Sequence, residues 1–112
     1  MQISFRTSKT EKVFNSEKEL RKKYGADQAK KIKTRMEVLQ SAVNLAEVPE
    51  QKPDRRHGLK GNRKGQFAVD VVYPYRLTFK PVDPVPMLEG GEIDLSRITE
   101  IVILRVEDYH GD

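Results

Sequence analysis

The apolar residues of this chain change their spacing once along its length, and that change limits the fold more than any other feature. From Ala26 onward they recur every three or four residues, at Ala29, Ile32, Met36, Leu39 and Val43, with Lys30, Lys31, Lys33 and Arg35 mostly on the other faces of a helix. Later they alternate, in residues 66–72, 75–80 and 98–109, as strands do. A shorter alternation, Ile3-Ser4-Phe5-Arg6, predicts a strand at the start, and residues 7–14 read as a turn of helix. Ser16 with Glu19 forms a capping box, Leu20 and Tyr24 give an apolar stripe, and Gly25 suits a C-cap, so a helix of about two turns precedes the long one. Pro49 and Pro53 end the helical half. The order predicts an α+β fold in which two N-terminal helices pack on one face of a small, mainly antiparallel sheet. Its last three strands run as a meander, and its other face stays open. Residues 81–94, with three prolines and two glycines, read as a long exposed loop.

A chain of 112 residues is one domain, 1–112. It has no cysteine, which excludes a disulfide framework, a thiolate zinc site and a cysteine nucleophile. No apolar run is long enough to cross a membrane, and Met1-Gln2-Ile3-Ser4-Phe5-Arg6 lacks a signal-peptide layout, so a soluble cytoplasmic protein without a membrane partner is expected. The net charge of +4 conceals a division: residues 1–35 carry eleven Lys/Arg against four acids and residues 52–80 eight against two, whereas residues 82–112 carry two against eight. A surface for phosphate or for an acidic partner must come from the first and middle parts.

Three stretches carry chemistry. Arg55-Arg56-His57-Gly58-Leu59-Lys60-Gly61-Asn62-Arg63-Lys64-Gly65 packs five cations, a histidine and three glycines into eleven residues. Glycine lets a backbone approach a ligand, and Lys and Arg offer charge and donors to phosphate oxygens. Arg76 sits within an apolar strand, and Glu107-Asp108-Tyr109-His110 closes the last one. Strand alternation puts Glu107 and Tyr109 on one face, and Asp108 and His110 on the other. His57, Lys60, Arg63, Arg76, Tyr109 and His110 together would offer two proton-transfer groups and fixed positive charge. RNA cleavage needs such a set: a base for the 2′-OH, cations for the phosphorane and an acid for the 5′-oxygen. The acids are scattered and the histidines stand 53 positions apart, so no metal or other cofactor is expected.

The stretches His57-Gly58-Leu59-Lys60-Gly61-Asn62-Arg63-Lys64-Gly65-Gln66, Tyr75-Arg76-Leu77-Thr78-Phe79 and Glu107-Asp108-Tyr109-His110 resemble the RelE/ParE toxin superfamily, most closely its HigB-type plasmid-maintenance killer proteins. That resemblance implies a microbial-RNase-like fold and a ribosome-dependent endonuclease that cuts mRNA in the A site of the 70S ribosome. It also implies neutralisation by a helix-turn-helix, HigA-like antitoxin. His57 would act as base or position phosphate, and Arg76 would stabilise the transition state. Asp108, Tyr109 and His110 would form the terminal catalytic group, with Tyr109 stacking on a base and His110 serving as acid or base. Arg55, Arg56, Lys60, Arg63 and Lys64 would bind RNA and the ribosome. Two other readings fit the same residues: a ParE-like inhibitor of DNA gyrase without chemistry, and a non-catalytic basic RNA- or ribosome-binding domain.

Overall fold

A computed structural model describes residues 1–109 of the chain. It is an α+β molecule with three helices and a five-stranded mixed sheet. Strand β1 (Gln2–Phe5) is followed by helices α1 (Ser8–Phe14), α2 (Glu17–Tyr24) and α3 (Ala26–Ser41), and then by β2 (His57–Gly58), β3 (Phe67–Asp70), β4 (Tyr75–Pro81) and β5 (Glu100–Asp108). The sheet order is β1-β5-β4-β3-β2, with β1 parallel to β5 and every other pair antiparallel.

Local chemistry accounts for the helix boundaries. The Thr7 hydroxyl accepts from the Thr10 amide at 3.1 Å, so residues 8–14 form a helix of their own where the sequence suggested one turn. Ser16 caps α2 through the Glu19 amide at 3.2 Å. Gly25, at φ +83°, ends α2 and begins α3 in a conformation that β-carbon-bearing residues resist. Ala29, Ile32 and Leu39 of α3 join Leu20 of α2 against Val69, Leu77, Phe79, Ile101 and Ile103, one face of the sheet. Ile3 and Phe5, in register with Ile101 and Ile103, extend that face.

Arg35 departs from the expected solvated face of α3. It is buried, with Nε donating to the Asp70 carbonyl at 2.7 Å, Nη2 to the Pro53 carbonyl at 3.0 Å, and Nη1 lying 3.6 Å from Asp54 Oδ1. The long helix is thereby tied to the end of β3 and to the connector that leads into the basic stretch. Residues 81–94 also differ from a structureless loop. They fold back on themselves through a Met87–Ile93 bridge, a Leu88 amide bond to the Glu92 carbonyl at 2.7 Å and an Asp94 amide bond to the Pro86 carbonyl at 2.9 Å. No helix among the described residues is long and apolar enough to cross a membrane.

Candidate functional site

Residues in register across neighbouring strands share a face. Leu77 pairs with Val69 and Val106 and points to the helices, so its neighbour Arg76 points the other way, in register with Asp70 on β3 and Glu107 on β5. A carboxylate, a guanidinium and a second carboxylate thus lie side by side across three strands on the helix-free face. Thr78 continues the row and His57 pairs with Ala68 beside it. Loop residues Arg55 and Arg63, together with Tyr109, complete the group.

Glu107 is the hub at one end. Arg63 grips it with both terminal nitrogens, Nη1 to Oε2 at 2.5 Å and Nη2 to Oε1 at 2.7 Å, and Arg76 Nη2 donates to Oε2 at 2.9 Å. Thr78 Oγ1 lies 3.4 Å from Oε1. The Arg63 hydrogen bonds, joined by those of Arg76, outweigh the effect of burial and hold the Glu107 carboxyl down at about 2. It is ionised at neutral pH and too weak a base to take a proton readily, so its part is to fix two guanidinium planes.

Tyr109 is the hub at the other end. Its hydroxyl donates to Asp70 Oδ1 and accepts from Arg55 Nη2, while Arg55 also holds Asp70 through Nε to Oδ2 at 2.8 Å. Burial, and next the hydrogen bond to the Asp70 carboxylate, push the phenol well above its ordinary value, so it stays protonated at physiological pH. Burial raises the Asp70 carboxyl, but hydrogen bonds from Arg55 and Tyr109 prevail and leave it below the usual value. The Tyr109 ring lies 4.9 Å from the Arg76 guanidinium carbon, 5.4 Å from that of Arg55, and 6.0 Å from the His57 ring at 17° to its plane.

His57 Nδ1 is 2.8 Å from the Arg55 carbonyl oxygen. A carbonyl only accepts, so Nδ1 carries the proton, and in the neutral ring Nε2 is the basic nitrogen. His57, Lys60, Asn62, Arg63, Arg76 and Tyr109 line a cleft of about 380 Å³, at the small end of ligand pockets. The structure therefore brings together five of the expected residues: His57, Lys60, Arg63, Arg76 and Tyr109. Arg55 supports the group from behind Tyr109.

The other expected residues fare differently. Arg56 does not join the cleft lining: it is buried, its Nε donates to the Val48 carbonyl at 2.9 Å, and it anchors the connector. Asp108 pairs with Tyr75 and takes the position on β5 that alternates with Glu107, away from the ladder. Lys64 is exposed and lies outside the cleft lining. His110 lies outside the described residues. Asp70 and Glu107 were not singled out as site residues. Their signal was present in the strand alternation, which already put Glu107 and Tyr109 on one face, but the register that brings both acids against Arg76 is not written in any one strand.

Among the described residues no three His, Asp or Glu side chains converge as metal ligands would. No family model matches the chain, and no curated protein is similar enough to count as a relative.

Proposed function

We propose that this chain is a toxin of the HigB kind within the RelE/ParE superfamily, a ribosome-dependent endoribonuclease that cuts mRNA in the A site. The observation that carries the reading is the histidine: His57 has Nδ1 committed to a backbone carbonyl and Nε2 left basic, in a nucleotide-sized cleft walled by Lys60, Arg63, Arg76 and the Tyr109 ring.

In this reading a base of the message stacks on Tyr109, whose hydroxyl is held by Asp70 and Arg55. His57 Nε2 accepts the 2′-hydroxyl proton, and the 2′-oxygen attacks phosphorus as the bond to the 5′-oxygen breaks. Lys60 and Arg63, with Arg76 only 1% exposed at the inner wall of the cleft, meet the negative charge that grows on the phosphorane oxygens, and Glu107 keeps the two guanidinium groups aimed before substrate arrives. An acid must protonate the departing 5′-oxygen, and His110, to which the resemblance gives an acid or base role, is the residue we propose for it. The proposed partner in the cell is a helix-turn-helix antitoxin, and the two chains should co-purify when expressed together.

Primer extension on a defined message, with and without programmed 70S ribosomes, tests the reading. New ends only in the presence of ribosomes, and absent with His57→Ala, are expected. No cuts in any lane would contradict it and direct attention to gyrase inhibition, read by a supercoiling assay.

A further inference from the structure

The helix-free face of the sheet continues beyond the cleft into a second concavity of about 510 Å³, whose charged lining is of one sign. Arg6, next to the end of β1, Lys80 of β4 and Arg105 of β5 converge there over Val102 and Leu104. The convergence has a structural cause. The β4–β5 register slips between Thr78 and Phe79, so Thr78 faces Arg105 while Phe79 faces Ile103, and Leu104 is the extra residue. A bulge of this kind sharpens the local twist and re-aims side chains. Leu104 becomes a buried floor outside the main core, and Arg105 stands exposed beside Lys80.

These three cations differ from those of the cleft. Arg55 is matched by Asp70, and Arg63 and Arg76 by Glu107, whereas among the described residues Arg6, Lys80 and Arg105 pair with no carboxylate. Three like charges gathered without a counter-charge repel one another, and an anion shared between them relieves the repulsion. The two concavities are also joined. Gln66 lines the second, and its side-chain oxygen accepts from Nε of Arg63, which lines the first, at 3.1 Å. Along β4, Arg76 and Lys80 are four residues apart, about 13 Å, within reach of one short stretch of single strand.

We propose that Arg6, Lys80 and Arg105 form a second phosphate-binding site that holds phosphodiester groups of RNA running out of the His57 cleft across Gln66. The inference rests on the reading of that cleft as an RNA site. The phosphates belong either to the strand in the cleft or to ribosomal RNA beside it, which are two sources of one chemistry.

The test is a variant with Arg6→Gln, Lys80→Gln and Arg105→Gln. All three side chains are exposed, and a thermal melt matching the wild type confirms that it folds. Affinity is measured across a salt series for a short, fully 2′-O-methylated single-stranded RNA and for mRNA-programmed 70S ribosomes. Loss of three phosphate contacts on a single strand lowers the log–log salt slope by about 2. A lower slope with the oligonucleotide assigns the phosphates to the strand in the cleft, and a lower slope with ribosomes alone assigns them to ribosomal RNA. Unchanged slopes on both overturn the site, as does a wild type that binds neither. Wild-type cleavage of the programmed message is scored in parallel, because no cleavage together with the slope change rejects the nuclease reading and leaves the phosphate site standing.

Discussion

Arg55 and Arg56 are adjacent and chemically identical, yet they serve opposite ends. Arg55 sits at φ +48°, a left-handed conformation that side chains seldom adopt, and this turn sends its guanidinium to Asp70 and Tyr109 while Arg56 goes inward to Val48. Nothing in a run of basic residues tells which of two neighbours will be buried, so composition alone marks the stretch without separating Arg55 from Arg56. Arg76 was legible as a charge within an apolar strand, and its environment makes the first prediction. Arg76→Ala should raise the cleavage barrier by roughly 2–4 kcal/mol, as loss of an oxyanion donor does. Arg76→Lys, which keeps the charge but not the fork, should fall between the two in single-turnover cleavage, and an alanine variant that cuts at the wild-type rate would contradict the role. Glu107 makes the second. Its folded-state value of about 2 lies below the ordinary 4.5, so its contribution to stability is complete above the ordinary value and is lost as pH falls from there toward 2. Melting temperatures measured through that window should fall less steeply for Glu107→Gln than for the wild type. Parallel curves would show that the two arginines do not hold the carboxylate as described.

Among the elements, α2, α3 and the β3–β4–β5 meander were legible because each repeats its apolar spacing over several turns or residues. Helix α1 was legible as helical but not in its full length, because its seven residues bury no side chain fully and it owes its start to the Thr7 cap. Strand β2 was not, because two residues cannot show alternation; it exists only as the partner of Phe67 and Ala68. The turn between β3 and β4 is held from a distance. Gln28 of α3 accepts from the Val72 amide at 2.8 Å and donates to the Val72 carbonyl at 3.3 Å, and the Tyr109 amide in turn donates to the Pro74 carbonyl at 3.0 Å. A helix thus braces the turn that seats Tyr109. Gln28→Ala should cost about 1–3 kcal/mol of stability, from two lost hydrogen bonds that leave backbone groups half-buried. It should also speed amide exchange at Val72 and Tyr109 selectively, and unchanged exchange at both would show that the brace carries no load.

At the scale of the molecule, the two faces of the sheet divide the labour. One takes the helices and the apolar core, and the other carries the Asp70–Arg76–Glu107 ladder, the His57 cleft and the Arg6–Lys80–Arg105 concavity. The sequence announced the open face and placed positive charge in the first and middle segments. It could not show that much of the cleft's charge is matched by Asp70 and Glu107, which makes the cleft a preset arrangement of donors rather than a bare basic patch. That distinction matters for the proposed chemistry, because aimed guanidinium groups need little reorganisation when charge develops on a phosphorane. In the proposed reaction the substrate's own 2′-hydroxyl attacks phosphorus, assisted by His57. The most direct measurement is cleavage, on programmed 70S ribosomes, of two messages that differ by a single 2′-deoxy nucleotide immediately 5′ of the scissile phosphate. The all-ribose message should be cut, leaving a 2′,3′-cyclic phosphate end, and the deoxy position should be spared; equal cutting of both messages would exclude 2′-hydroxyl attack.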